Sequence, residues 1–200
     1  MKRIGIYISA FDPIHMGHLE FAENALSTHK LDKLYFLVEP IPRYRQGVKA
    51  LDHRVNMAIL GVANNPQLGT IVPQTKASLD EYIKLLQSRF YDHKIALIIP
   101  ESALKRFFHL PNLLSYNFSN MDIIVGLDSQ SPDDVNLRLR LLSETSGLKF
   151  KHSWFKSKNS RINSSEIKKK LKQGIKPDEV PRPVYEYIVK QKLYAATSNT

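Results

Sequence analysis

The sequence has no cysteine, which excludes disulfides, thiolate metal sites and a cysteine nucleophile. No apolar run approaches the roughly 20 residues that a transmembrane helix needs. Met1-Lys2-Arg3 precedes only a short apolar stretch that runs straight on towards Phe11-Asp12-Pro13, unlike a secretory leader. A cytoplasmic protein with no membrane partner is therefore expected. Internal repeats and low-complexity tracts are missing, and no aromatic-interleaved RNA motif or reading-helix pattern is visible. Acidic charge is scarce: 19 Asp and Glu stand against 29 Lys and Arg, for a formal net charge of +10. That balance fits a binder of polyanions, either nucleotides or nucleic acid. Much of it lies in the last quarter, at Lys149, Lys151, Lys156, Lys158, Arg161, Lys168, Lys169, Lys170, Lys172 and Lys176. The plainest reading of such lysines is a solvated helix face, with weak nucleic-acid affinity as the alternative.

What is present is ordinary for a globular chain: 42% hydrophobic residues in a length of 200, enough for one domain with a C-terminal helical segment from about residue 161. Strand-like and helix-like segments alternate, which predicts a Rossmann-like, doubly wound α/β fold: a mostly parallel sheet with helices on both faces. Strands are expected at Arg3–Ile8, Lys33–Val38, Thr70–Val72, Lys94–Ile99, Met121–Gly126 and Leu148–Phe155. Helices are expected from Met16, at Leu51–Ala63, Leu79–Phe90, Ser164–Leu171 and Val184–Gln191. Pro100-Glu101-Ser102, Asn117–Asn120 and Ser129–Asp134 read as loops. In open sheets of this class ligands sit beyond the carboxyl ends of the strands. The turn after the first strand, Glu39–Pro42 after the second and Pro100–Ser102 after the central strand are thus candidates to line one crevice.

The most informative stretch is Phe11-Asp12-Pro13-Ile14-His15-Met16-Gly17-His18. It follows the first strand and opens the first helix, so His15 and His18 are expected on the same side of its first turn. Free N–H groups at a helix start favour phosphate. Two imidazole donors add stabilisation for charge spread over non-bridging phosphoryl oxygens. Gly17 is expected to let a ligand approach the backbone. By itself H-x-x-H also describes a surface pair or half a metal site; the strand, the helix and the glycine favour the phosphate reading.

This stretch resembles the H-x-G-H signature of the nucleotidylyltransferase superfamily, and the chain is most similar to bacterial nicotinate-mononucleotide adenylyltransferases. That family begins with a strand and Gly-Gly-Thr-Phe-Asp-Pro-x-His-x-Gly-His. Phe11 to His18 match, while Ile8-Ser9-Ala10 stand where the family has Gly-Gly-Thr. The resemblance implies a nucleotide cradle at Ser9, Ala10, Phe11 and Gly17, with His15 and His18 catalytic. A second motif, Ile162-Asn163-Ser164-Ser165-Glu166-Ile167-Lys168, reads as a capped helix start, with Asn163 or Ser164 as the cap. It resembles the family's Ile-Ser-Ser-Thr-x-Ile-Arg signature, which implies that Ile162, Asn163, Ser164, Ser165 and Lys168 hold ATP phosphates. Lys168 there acts as a point charge in place of an arginine fork.

Pro42-Arg43-Tyr44-Arg45 stands where the family has a phosphate-binding loop, so Arg45 is a candidate phosphate contact with Arg43 as a substitute. His53-Arg54 resembles a family helix start, or else marks an ordinary surface terminus. Pro100-Glu101-Ser102 replaces Gly-x-Asp-Ser, making Glu101 the candidate for a ribose hydroxyl or adenine amine. Trp154 is expected in the core or on an adenine-side wall. Val180–Val184 and Leu193-Tyr194 resemble the family's closing helix and Gly-Leu-Tyr tail. The resemblance implies AMP transfer from ATP, with Mg²⁺, to a mononucleotide phosphate. Nicotinate mononucleotide is the favoured acceptor; nicotinamide mononucleotide, phosphopantetheine and cytidylyl transfer are the alternatives within the fold. A different class of reading is a degenerate member that binds nucleotide or RNA without turnover.

Overall fold

The computed structural model describes residues 1–42, 47–73, 79–108, 121–147, 150–157 and 162–195. The chain runs β1 (Arg3–Ser9), α1 (Met16–His29), β2 (Lys33–Val38), α2 (Leu51–Val62), β3 (Leu68–Ile71), α3 (Leu79–Arg89), β4 (Lys94–Pro100), α4 (Glu101–Phe108), β5 (Met121–Leu127), α5 (Pro132–Ser146), β6 (Lys151–Lys156), α6 (Ser164–Lys172) and α7 (Arg182–Lys190). The six strands pair in the order β3-β2-β1-β4-β5-β6, and every pairing is parallel. The order reverses between β1 and β4, so the crevice of the sheet opens at the carboxyl ends of those two strands.

Both faces of the sheet are apolar, as parallel sheets require. On one face Tyr7, Phe36, Ala96, Ile98, Ile124 and Phe155 pack under buried residues of α1, α2, α6 and α7. On the other, Ile4, Ile6, Leu97, Ile123 and Val125 pack against Tyr82, Ile83, Leu86, Leu104, Val135 and Leu139 from α3, α4 and α5. The doubly wound α/β class is the one expected.

Several boundaries differ from expectation. Pro100 closes β4, but Glu101 then starts α4 where a loop was expected. α5 is also new, and its first turn takes in residues 132–134: Ser131 caps it by accepting from the Asp134 N–H, and Pro132 sits at its first turn, a favoured start arrangement. β6 begins at Lys151, three residues later than expected. Trp154 is 37% exposed on that edge strand, so it is no core residue. Asn117–Asn120 lie outside the described residues.

Candidate active site

β1 ends at Ser9, whose carbonyl accepts from the Glu39 N–H at 2.9 Å beyond the end of β2. Phe11 then takes a positive φ of 47°, which turns the chain under itself and drives its ring fully into the core. There the ring meets Tyr7 edge-on at 5.3 Å and His18 edge-on at 5.1 Å. The Phe11 side chain therefore supports the His18 ring.

α1 starts with His15 in extended conformation as its N-cap. The His15 and His18 rings stack with centroids 3.6 Å apart, and both residues are nearly buried, at 4% and 9% exposed. The His15 backbone N–H donates to His18 Nδ1 at 3.3 Å. An amide N–H can only donate, so Nδ1 is the acceptor and the neutral ring carries its hydrogen on Nε2. The tautomer of the neutral His18 ring is thereby fixed.

Gly17 serves the packing of the two motifs. A Cβ there would sit 3.2 Å from His15 Nδ1 and 3.2 Å from Ile162 Cβ. The missing side chain lets the two motifs close on each other. Just beyond Ile162, Asn163 caps α6 by accepting from the Glu166 N–H at 2.9 Å, which resolves the choice of cap. Ser164 and Ser165 form the first turn of α6, Ser165 being exposed.

Of the α6 lysines, Lys169 and Lys172 are exposed as a solvated face implies, while Lys168 and Lys170 are paired. Lys168 Nζ donates to Asp12, a fully buried carboxylate, and Lys170 donates to Glu179. Glu179 in turn accepts the Met16 N–H on its backbone carbonyl at 2.8 Å, tying the segment before α7 to the first turn of α1.

Arg54 is the largest departure from a surface helix terminus. It is 1% exposed and donates to the carbonyls of Lys49, Ala10, Glu39 and Pro40. Burial pulls its pKa down, opposed by the charges of Asp12 and Glu39. The loops after β1 and β2 are thereby fastened to α2, and the Ala10 carbonyl is taken up in the process. His53 packs outward, its Nδ1 2.9 Å from the Tyr187 hydroxyl of α7.

Glu101 is placed differently from its expected reach to a nucleotide. Its carboxylate accepts the backbone N–H groups of Asp128, Ser129 and Gln130 and the Ser129 hydroxyl. Burial works to raise its pKa, yet these hydrogen bonds outweigh it and hold the carboxyl below its usual value. Both oxygens are engaged in shaping the β5–α5 turn. Arg45 and Arg43 lie outside the described residues, as do Lys149, Lys158, Arg161 and residues 74–78.

Asp12, Lys49, Arg54 and Tyr194 are residues of this site that the motifs left unassigned. The Tyr194 hydroxyl donates to Asp12 at 2.5 Å. Burial, then the Asp12 charge, pushes its phenol well above the ordinary range. Asp12 sat inside a matched motif and Tyr194 inside a matched tail, but nothing local linked them.

A stacked imidazole pair at the switch point of a 3-2-1-4-5-6 sheet, closed against a second capped helix, defines an α/β protein built to handle nucleotide phosphates. The chain belongs to the cytidylyltransferase-like family, whose model matches residues 6–170. It is 28% identical over 198 residues to a probable nicotinate-nucleotide adenylyltransferase of Dictyoglomus turgidum, covering 96% of this chain and 95% of that one. It is 32% identical over 105 residues to the nicotinate-nucleotide adenylyltransferase of Bacillus subtilis, covering 50% of this chain and 56% of that protein. Among solved structures, Plasmodium falciparum nicotinic acid mononucleotide adenylyltransferase complexed with NaAD superposes with a TM-score of 0.74 at 16% identity, covering 97% and 98% of the two chains. That likeness speaks for the fold.

Proposed function

We propose that this protein transfers AMP from ATP to a mononucleotide phosphate, with nicotinate mononucleotide as the favoured acceptor. The observation that carries the reading is the His15–His18 stack at the start of α1, closed at Gly17 against Ile162 of the second motif, with Lys168 of α6 paired to Asp12 in the turn before α1. Full-length likeness to probable nicotinate-nucleotide adenylyltransferases supports the choice of acceptor.

In this reaction an acceptor phosphate oxygen attacks the α-phosphorus in line. The bond to the β-phosphoryl oxygen breaks, and pyrophosphate leaves with that electron pair. The nucleophile is already an anion, so no base is required; catalysis rests on positioning and on neutralising developing charge. His18 Nε2–H supplies a fixed donor to non-bridging oxygens, with His15 stacked on it. The α6 start and Lys168 face the departing phosphates, and Arg45 is assigned a further phosphate contact. Among the described residues no group of three or more His, Asp or Glu side chains is placed to hold a metal ion. Mg²⁺ belongs to this reading as a companion of the ATP phosphates, the usual way that ion is held. Among the described residues no helix is long and apolar enough to cross a membrane.

The test is pyrophosphate release from ATP and from CTP against nicotinate mononucleotide, nicotinamide mononucleotide and phosphopantetheine. Release with ATP and nicotinate mononucleotide at least about tenfold faster than any other pair, about 1.4 kcal/mol in barrier, is the expected result. Preference for another pair would reassign the substrates. No release from any pair would overturn the enzymatic reading.

A further inference from the structure

Tyr194 lies 182 residues from Asp12 in the chain. Its side chain is 5% exposed, and its backbone sits at φ 62°, a region that bulky residues avoid. Packing holds it there against local preference. Two ammonium groups flank the ring, Lys49 Nζ at 5.4 Å and Lys168 Nζ at 5.7 Å from its centroid, within cation–π range. Lys168 donates to one Asp12 oxygen and the Tyr194 hydroxyl to the other. Lys49 touches the same carboxylate only through its backbone N–H, at 3.3 Å.

The charges around this tyrosine do not balance. Arg54, Lys49 and Lys168 stand around the Asp12 carboxylate, with Glu39 acting on Arg54 as the second negative charge. Arg54 is committed to four carbonyls, so among the described residues around this carboxylate the two lysines are the cations left to a ligand. A polyphosphate is the group that such an excess accommodates.

We infer that Tyr194 is a positioning residue of the nucleotide site: it fixes Asp12, Asp12 presents the ammonium of Lys168, and Lys49 stands beside it as a second cation for the polyphosphate. This rests on the nucleotidyl-transfer reading of the same site. A lysine ammonium has three N–H donors; one goes to Asp12, and the others stay available. A lysine stem loses considerable rotamer freedom when it is fixed. The buried carboxylate imposes that order before the ligand arrives, so binding does not have to. Without the Tyr194 hydroxyl, Oδ1 keeps only the long Lys49 N–H bond, and the carboxylate is free to turn and take Lys168 with it.

The experiment is equilibrium binding of ATP and of inorganic tripolyphosphate to wild type, Y194F, K168M, K49M and the double variant Y194F/K168M, each checked by thermal melting. Y194F is expected to weaken tripolyphosphate binding about tenfold, and K168M at least as much. The double variant is expected to bind within about a factor of two of K168M, because Tyr194 acts through Lys168. K49M is expected to weaken binding about threefold. A merely structural tyrosine would lower the melting temperature and leave the affinity of the folded protein unchanged. That result, or a Y194F loss that multiplies onto the K168M loss, overturns the inference. If Y194F does not fold, K49M and K168M decide: unchanged binding in either one overturns it. Binding requires no turnover, so missing pyrophosphate release alongside the expected affinities counts against the transferase reading and leaves the inference standing.

Discussion

His18 is held by three neighbours, His15, Phe11 and Tyr7. The His15 N–H occupies its Nδ1, and Phe11 and Tyr7 wall its ring, so Nε2–H is presented without the cost of organising it during the reaction. His18→Ala is therefore expected to lower turnover at least about a hundredfold, the usual loss for one preorganised donor, with steady-state pyrophosphate release as the measurement. A value within a factor of about two of wild type would remove His18 from the machinery. Arg54 acts on stability instead. Its guanidinium satisfies four carbonyls from three segments, and Arg54→Met leaves buried acceptors unpaired. A loss on the order of 3 kcal/mol is expected in urea unfolding, since each unsatisfied group costs about 1–3 kcal/mol and some will find water. An unchanged urea midpoint would show those carbonyls satisfied in some other way.

The α1–α6 contact depends on a glycine. Gly17→Ala adds a Cβ 3.2 Å from both His15 Nδ1 and Ile162 Cβ, so either the imidazole or the second motif must give by a few tenths of an ångström. Alanine gains about 1 kcal/mol of helix propensity over glycine, which offsets part of the strain. Stability is thus expected to change little while kcat/KM falls about tenfold, because small displacements of positioned groups are costly. Equal losses in melting temperature and activity would mean that the helices simply separate. Elements differ in how plainly the sequence announced them. β2, β4 and β5 are dominated by apolar residues and bounded by polar or turn residues, and their ends fell within one residue of expectation. α4 and α5 were hidden for physical reasons. Pro100 reads as a breaker although it closes a strand directly ahead of a helix, and in α5 Leu137 and Leu141 are exposed while Val135 and Leu139 are buried, which blurs the apolar stripe. The two histidines were legible because their spacing is local; the partnership of Asp12 with Lys168 and Tyr194 spans most of the chain and leaves no period to read.

Across the whole molecule, charge is organised at both ends of the sheet. His15, His18 and Asp12 follow the carboxyl end of β1 with Lys168 paired to Asp12, while Arg3, Lys94 and Asp122 pair at the amino ends of β1, β4 and β5. His29, at the end of α1, belongs to that second group. Arg3 donates to its carbonyl at 3.0 Å, Ser153 approaches its Nδ1 at 3.5 Å, and among the described residues its buried Nε2 has no hydrogen-bond partner. Burial first and the Arg3 charge second pull its pKa below the ordinary 6.5, against the Trp154 backbone and Asp122. Unfolded, the same imidazole titrates near its ordinary value, so between the two the unfolded chain binds more protons and stability falls as pH drops. This contribution is complete above about pH 6.5 and diminishes below it until both states are protonated. The urea midpoint is expected to be lower at pH 5.5 than at pH 7.5, and His29→Phe, which keeps a ring against Phe155, is expected to flatten that difference. Glu101 titrates below its usual value, so its contribution is lost only at lower pH and does not mimic the effect. An identical pH dependence in wild type and His29→Phe would assign the acid sensitivity to other groups.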